Sequence, residues 1–383
     1  MSPPAVRFDR NELAGAFGDL GTDLPLIVGM VLAAHLDAAS VLVAYGAMQL
    51  LTGLAYRLPM PVQPLKAVAA LVITQHIAAD IIYGAGLAIG VAMLLITAFG
   101  LIDWLAWAIP KSVVRGIQLG LGLQLASLAL REYVGADHAP GYVLAAVAFV
   151  ITVALIGNRR LPAALPVVAL GLIYAFALKL PVSEVIRSAG FQLPRLHVPT
   201  LADVVTGFIV LALPQLPLSL GNSILATHQI ARDLFPDVRL SVRKIGLTYG
   251  AMNLASSFLS GVPVCHGSGG FAGHYAFGGR TGGSVVIYGA MFIALGLFFS
   301  GGFARLVTVF PLPMLGVLLL FEGIALVVLV RDLAGERSDF FIAALVAVCA
   351  AFLPYGYVVG LVIGATLAHL ARRGYVPPPS AST

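Results

Sequence analysis

Apolar stretches of 17–25 residues recur from Leu13 to Leu370 with only short polar breaks between them. An α-helix needs about 20 such residues to cross bilayer hydrocarbon, where every backbone polar group must find its partner within the protein. The expected fold is therefore an all-α polytopic membrane protein. Charged residues make up 10% of the chain, against roughly 25% in soluble domains, so no soluble domain of any size fits. About ten mostly polar residues precede the first apolar run, without a basic stretch or small-residue cleavage site, and that run reads as a span rather than a removable signal. Cys265 and Cys349, the two cysteines, lie in apolar surroundings, which argues against a disulfide framework and offers no metal-ligand spacing. The net charge of +5 comes from Lys and Arg spread among short loops, not from a patch suited to nucleic acid.

Fourteen spans are predicted near 13–34, 38–56, 64–79, 84–108, 111–130, 140–157, 161–179, 201–225, 244–260, 266–278, 283–300, 304–330, 338–353 and 355–371. With both termini cytoplasmic, only Arg131, Lys179, Arg187, Arg195 and Arg305 of the loop cations fall outside. The rest, Arg159 and Arg160 among them, lie inside, the bias that membrane insertion favours. Trp104 and Trp107, just before Pro110, fit an interfacial anchor at the inner end of span 4.

The two halves, residues 1–180 and 200–373, match at a shift near 200: Pro61 with Pro263, Pro110 with Pro311, Gly21 with Gly221. Seven spans is an odd number, so a second copy must enter the membrane from the opposite side, giving a 7+7 inverted repeat.

Pro61 and Pro64 in one half, and Pro263, Gly267, Gly269 and Gly270 in the other, interrupt helices at bilayer depth, leaving spans 3 and 10 as short half-helices. Broken backbone there must line a cavity or be buried in protein. A helix beginning after each break aims free N–H groups and its positive dipole end inward, a site for a small anion. Gln63 and Ser268 are candidate donors, Gly267 and Gly269 permit close approach, His266 is a donor or titratable group, and Lys66 adds positive charge. Spans 1 and 8 contribute Asp19, Thr22, Asp23, Gln215, Asn222 and Ser223 at matching depth. Asp19, Asp23, His266 and Glu322 are the candidate proton carriers, because titratable groups inside membranes are functional by default.

The segments "ELAGAFGDLGTDLPL", "MPVQPLKAVAA", "PQLPLSLGNSILATHQIARDLFP" and "VCHGSGGFAGHYAFGGRTG" resemble the signatures of the molybdate transporter family, a branch related to the sulfate permease (SulP) anion transporters. The resemblance implies a core domain of spans 1–4 and 8–11 carrying substrate by elevator-like alternating access, and a gate domain of spans 5–7 and 12–14. It also implies no soluble regulatory domain after span 14, and residence in the plasma membrane, the inner membrane in a bacterium. Related permeases often pair, so a homodimer is expected. Asp23 departs from the family pattern, which has an apolar or aromatic residue there, as do His274 and Ala276, where Gln and a basic residue are usual.

Energetics favour coupling. A dianion entering an inside-negative cell moves against about 4.6 kcal/mol per 100 mV, so proton symport of molybdate is the expected mechanism, with no cofactor. Sulfate is a tetrahedral dianion too, and a sulfate transporter or broader anion exchanger remains the alternative. A neutral nucleobase transporter on the same architecture would favour acidic side chains in spans 8 and 10, where this chain offers Asn222 and His266. Cys265 beside His266 lacks a third orienting group, so an enzyme is not expected.

Overall fold

The computed structural model describes residues 4–373 except 157, 159, 160 and 162, and the backbone but not the side chains at 103, 105, 106 and 222. Arg159 and Arg160 therefore lie outside the described residues. The protein is mostly helical. Among the described residues, six helical runs are long and apolar enough to cross a membrane: Ala38–Tyr56 (α3), Ala79–Ala98 (α5), Lys111–Tyr133, Leu201–Leu234, Gly283–Val309 (α16) and Leu312–Leu333. Shorter apolar helices are Leu20–Ala34 (α2), Lys66–Gln75 (α4), His138–Ala154 (α8), Ala164–Leu178 (α9) and Gly356–Arg372 (α19). The remaining helical pieces are Arg10–Gly15 (α1), Ile102–Ala108 (α6), Lys111–Leu128 (α7), Val182–Arg187 (α10), Leu201–Gly207 (α11), Leu213–Leu218 (α12), Ala226–Leu234 (α13), Val242–Phe258 (α14), Ser268–Ala276 (α15), Leu312–Val328 (α17) and Arg337–Phe352 (α18).

Glycine decides how closely these helices meet. α3 runs along α16, α5 along α14, and α7 against α17 and α18. A Cβ on Gly46 would lie 2.6 Å from the carbonyl oxygen of Gly289, one on Gly90 2.9 Å from that of Gly250, and one on Gly323 2.7 Å from that of Gly122. Small residues at facing positions let backbones touch where no hydrophobic force drives helices together. At the start of α16, buried Glu12 from α1 accepts from the N–H groups of Arg280, Thr281 and Ser284 at 3.0, 2.9 and 2.9 Å. It thereby places a carboxylate at that helix's positive end.

Span 2 lies where the apolar pattern puts it, at Ala38–Tyr56. Two predicted boundaries are corrected. Gly301 and Gly302 were expected to separate spans 11 and 12, yet α16 continues through them to Val309, with Gly302 facing Val185 of α10. The turn falls instead at Phe310, extended at φ −60°, ψ 135°, because the ring of Pro311 disfavours helical backbone in the residue before it. The predicted span 84–108 starts earlier, at Ala79, and is divided after Ala98 by Gly100 in the left-handed region at φ 68°.

The run Leu201–Leu234 carries two π-helical segments, Phe208–Ala212 and Ser219–Leu225. Pro214 and Pro217 stand between them, and a proline inside a helix removes an N–H and crowds the carbonyl four residues back. The helix absorbs this by widening its turns, a distortion common at functional sites.

Candidate functional site

At the centre of the bundle the helices give way to two three-residue strands, Val62–Pro64 (β1) and Val264–His266 (β2), both fully buried. They pair antiparallel with Val62 opposite His266, Gln63 opposite Cys265 and Pro64 opposite Val264. Ladder bonds Leu65 N–H to Pro263 O (3.0 Å) and Gly267 N–H to Pro61 O (3.4 Å) extend the pair. So narrow a ribbon leaves outer edges unpaired, which is costly without water. Two side-chain amides cover them. Gln49 of α3 donates to Val62 O at 2.6 Å and accepts from its N–H at 2.8 Å. Asn253 of α14 does the same for Val264 at 2.7 and 2.9 Å.

A short helix leaves each strand, and the two helix starts differ. At α4, the Oε1 of Gln215 accepts from the N–H groups of Ala67 and Val68 at 3.0 and 3.4 Å. Gln215 donates in turn to Ser219 at 3.1 Å, and Ser219 shares a hydrogen bond with Tyr249 at 2.6 Å. At α15, the N–H groups of Ser268, Gly269 and Gly270 meet no side-chain acceptor among the described residues, and a Cβ on Gly269 would find open space. A helix of this length with free N–H groups and an open approach is suited to holding an anion.

Beside this open end lie two buried carboxylates one turn apart on span 1. Asp19 accepts from Gln63 Nε2 at 2.7 Å through Oδ1, while its Oδ2 has no hydrogen-bond partner. That oxygen lies against Gly270, where a Cβ would overlap it, and a Cβ on Gly267 would overlap the Gln63 amide. Asp23 accepts from the phenols of Tyr45 and Tyr288, the latter at 3.1 Å, and its Oδ1 is without a partner. Tyr45, Tyr288 and Phe292 pack edge-on around Asp23 with ring centroids 4.9–6.5 Å apart. At the start of α4, Lys66 Nζ lies 3.4 Å from the Glu322 carboxylate of α17.

The structure thus gathers Asp19, Asp23, Gln63, Gly267, Ser268 and Gly269 at one place, joins Lys66 to Glu322, and sets Gln215 behind α4. Thr22 is half-buried on the first turn of α2, and Ser223 is buried on the π segment. The Asn222 side chain lies outside the described residues. His266 is placed differently from expectation. Its fully buried ring turns to Thr248 Oγ1 of α14, 2.7 Å from Nε2, and to the edge of Tyr56, leaving Nδ1 without a partner. Its side chain is not among those bonded to Asp19, Gln63 or Lys66. Sequence reasoning missed Gln49, Asn253, Tyr45, Tyr249 and Tyr288. A signal for four of them was present: "YGAMQL" at 45–50 and "YGAMNL" at 249–254 are near-identical polar-containing segments within apolar spans.

A profile of the family described as "Molybdate transporter of MFS superfamily" matches residues 11–125 and 207–326. The chain is 34% identical to Molybdate transporter 2 of Arabidopsis thaliana, over 89% of this chain and 82% of that one. It is 30% identical to Molybdate transporter 1 of Chlamydomonas reinhardtii, over 92% and 90%. Among solved structures, the transmembrane domain of the cyanobacterial bicarbonate transporter BicA superposes with a TM-score of 0.66 at 16% identity, covering 96% of this chain and 99% of that one. The murine anion transporter Slc26a9 in its inward-facing state superposes with a TM-score of 0.69 at 14% identity, covering 97% and 69%. These likenesses establish a shared fold.

Proposed function

This chain belongs to the molybdate transporter family, and on that premise we propose that it carries molybdate across a membrane by proton symport with alternating access. The family is one of transporters, not enzymes. The observation that carries the reading is the start of α15, where the N–H groups of Ser268, Gly269 and Gly270 meet no side-chain acceptor among the described residues and the space at Gly269 is open, beside Asp19. A tetrahedral oxyanion there accepts from those N–H groups and from the Ser268 hydroxyl, with Gln63 and Lys66 at the rim. Helix α4 contributes less than a symmetric cradle would, because Gln215 already occupies its first N–H groups.

Coupling follows from charge. An ionised Asp19 against Gly270 repels an arriving dianion across the same few ångströms. A proton shared between the partnerless oxygens of Asp19 and Asp23 lowers the charge of the pair from two to one and weakens that repulsion, so proton and anion enter together. Glu322, paired with Lys66, is the carrier that would report substrate occupancy to the gate.

A 7+7 inverted repeat, with a core of spans 1–4 and 8–11 moving elevator-like against a gate of spans 5–7 and 12–14, accounts for the paired Gln49 and Asn253 clamps and the α3–α16 and α5–α14 contacts. Residence in the plasma membrane, with both termini cytoplasmic, accounts for the loop charges. The test is uptake of radiolabelled molybdate into proteoliposomes, with sulfate as competitor and an acid-outside gradient imposed. Uptake driven by the gradient supports the reading, and sulfate competition measures how far the site discriminates. Absence of transport of either anion under any gradient sinks it.

A further inference from the structure

Apart from the anion site, a half-open cavity of about 470 Å³ lies between α2, α9, α16 and α17. Val28, Leu172, Leu295 and Leu318 line it, one from each helix, and Tyr288 and Phe292 form its inner wall. The one hydroxyl on that wall, Tyr288 Oη, is directed at Asp23. A water molecule needs two to four polar partners to remain in such a space, and an anion needs more. The volume is about three times that of the ~150 Å³ apolar cavities that stay dry and take up benzene or xenon, so an apolar guest of some length fits.

The position of the mouth says which guest. Met291 and Phe299 on α16 both line the cavity and are exposed. Of the six long apolar runs, α16 is the least covered by the rest of the protein. In a bilayer, what stands against such a surface is hydrocarbon. We propose that this cavity binds one acyl chain of a membrane lipid, inserted from the bilayer between α9 and α16 until it meets Tyr288 and Phe292.

The guest then bears on the ring cluster that holds Asp23. Tyr288 donates to that carboxylate, and Phe292 packs at 4.9 Å from both Tyr288 and Tyr45, the second donor. An acyl chain braces these rings, and an emptied cavity lets them relax away from Asp23. The lipid is in this sense a structural ligand of the transport site, although its binding does not depend on which anion is carried.

The experiment is photo-crosslinking of the full-length protein reconstituted with a phosphatidylcholine that bears a diazirine midway along one acyl chain. Adducts are mapped by mass spectrometry and compared with those at Val150, a bilayer-exposed residue of α8. Val28 is 8% exposed, so adducts there exceeding those at Val150 require an inserted chain. Leu172→Trp and Leu295→Trp each fill the cavity, and at least one is expected to lower the Val28 yield fivefold or more while its thermal unfolding stays cooperative. Should Val28 be labelled no more than Val150, or should its yield survive in both filled variants, the proposal is overturned. Occupation of the cavity by a second copy of the chain, seen as Val28 protected from lipid and crosslinked to protein, overturns it equally. None of these readouts requires molybdate transport, so this proposal and the transport reading stand or fall separately.

Discussion

The ammonium of Lys66 lies 3.4 Å from the carboxylate of Glu322, tying the first residue of α4 to the middle of α17. The lysine is about a third exposed and the glutamate less so, a position between a screened surface pair and a buried one. Among the described residues, the pair is the one ionic link from α4 or α15 to the helices proposed as the gate.

A double-mutant cycle measures it. Lys66→Met and Glu322→Gln are each expected to cost more singly than in combination, with a coupling of about 1 kcal/mol in thermal unfolding. Glu322→Gln is also expected to slow molybdate uptake at least tenfold, read in the same proteoliposomes. Additive effects on both measurements would remove Glu322 from the mechanism.

Asp19→Asn keeps an oxygen able to accept from Gln63 but cannot be charged. Molybdate binding is expected to persist, measured by isothermal calorimetry, while uptake no longer responds to an acid-outside gradient. A variant that still concentrates molybdate with the gradient would assign the proton elsewhere.

Gln49 and Asn253 each hold both polar groups of a strand residue. Gln49→Leu leaves the N–H of Val62 without its partner in an apolar core, while Tyr45 Oη still donates to the Val62 carbonyl at 2.6 Å, with an expected loss of about 1–3 kcal/mol. Asn253→Leu removes the side-chain partners of both the N–H and the carbonyl of Val264. The larger loss in chemical denaturation is expected at Asn253, because among the described residues the Val264 carbonyl has no second side-chain donor.

Gly270→Ala drives a methyl group into the Asp19 carboxylate, and uptake is expected to fall tenfold or more at normal expression. Gly335→Ala, at a position with no neighbour within 4 Å, is the control and should transport as the parent does.

How much of this was legible in the sequence depended on what carries the signal. The span at Ala38–Tyr56 was readable because polar residues bound an apolar run on both sides. The breaks before Lys66 and Ser268 were readable because proline and glycine mark them. The continuity of α16 through Gly301 and Gly302 was not, since a glycine pair signals a break and a close helix contact alike. The His266 ring could not be placed either. Its position beside the break said that the backbone is at the site, while strand alternation and the Thr248 hydroxyl decide where the side chain goes. Gln215 was read as a ligand. Its partner turned out to be a helix start in the other half of the chain, a long-range contact that spacing does not encode.

The ribbon formed by Val62–Pro64 and Val264–His266 has a mechanical consequence. Five backbone positions on each side are laced together and clamped from α3 and α14, so neither short helix can tilt or slide without dragging its counterpart. In the proposed transport cycle α4 and α15 would travel as one rigid carriage, with opening toward either face of the membrane coming from motion around that carriage rather than within it.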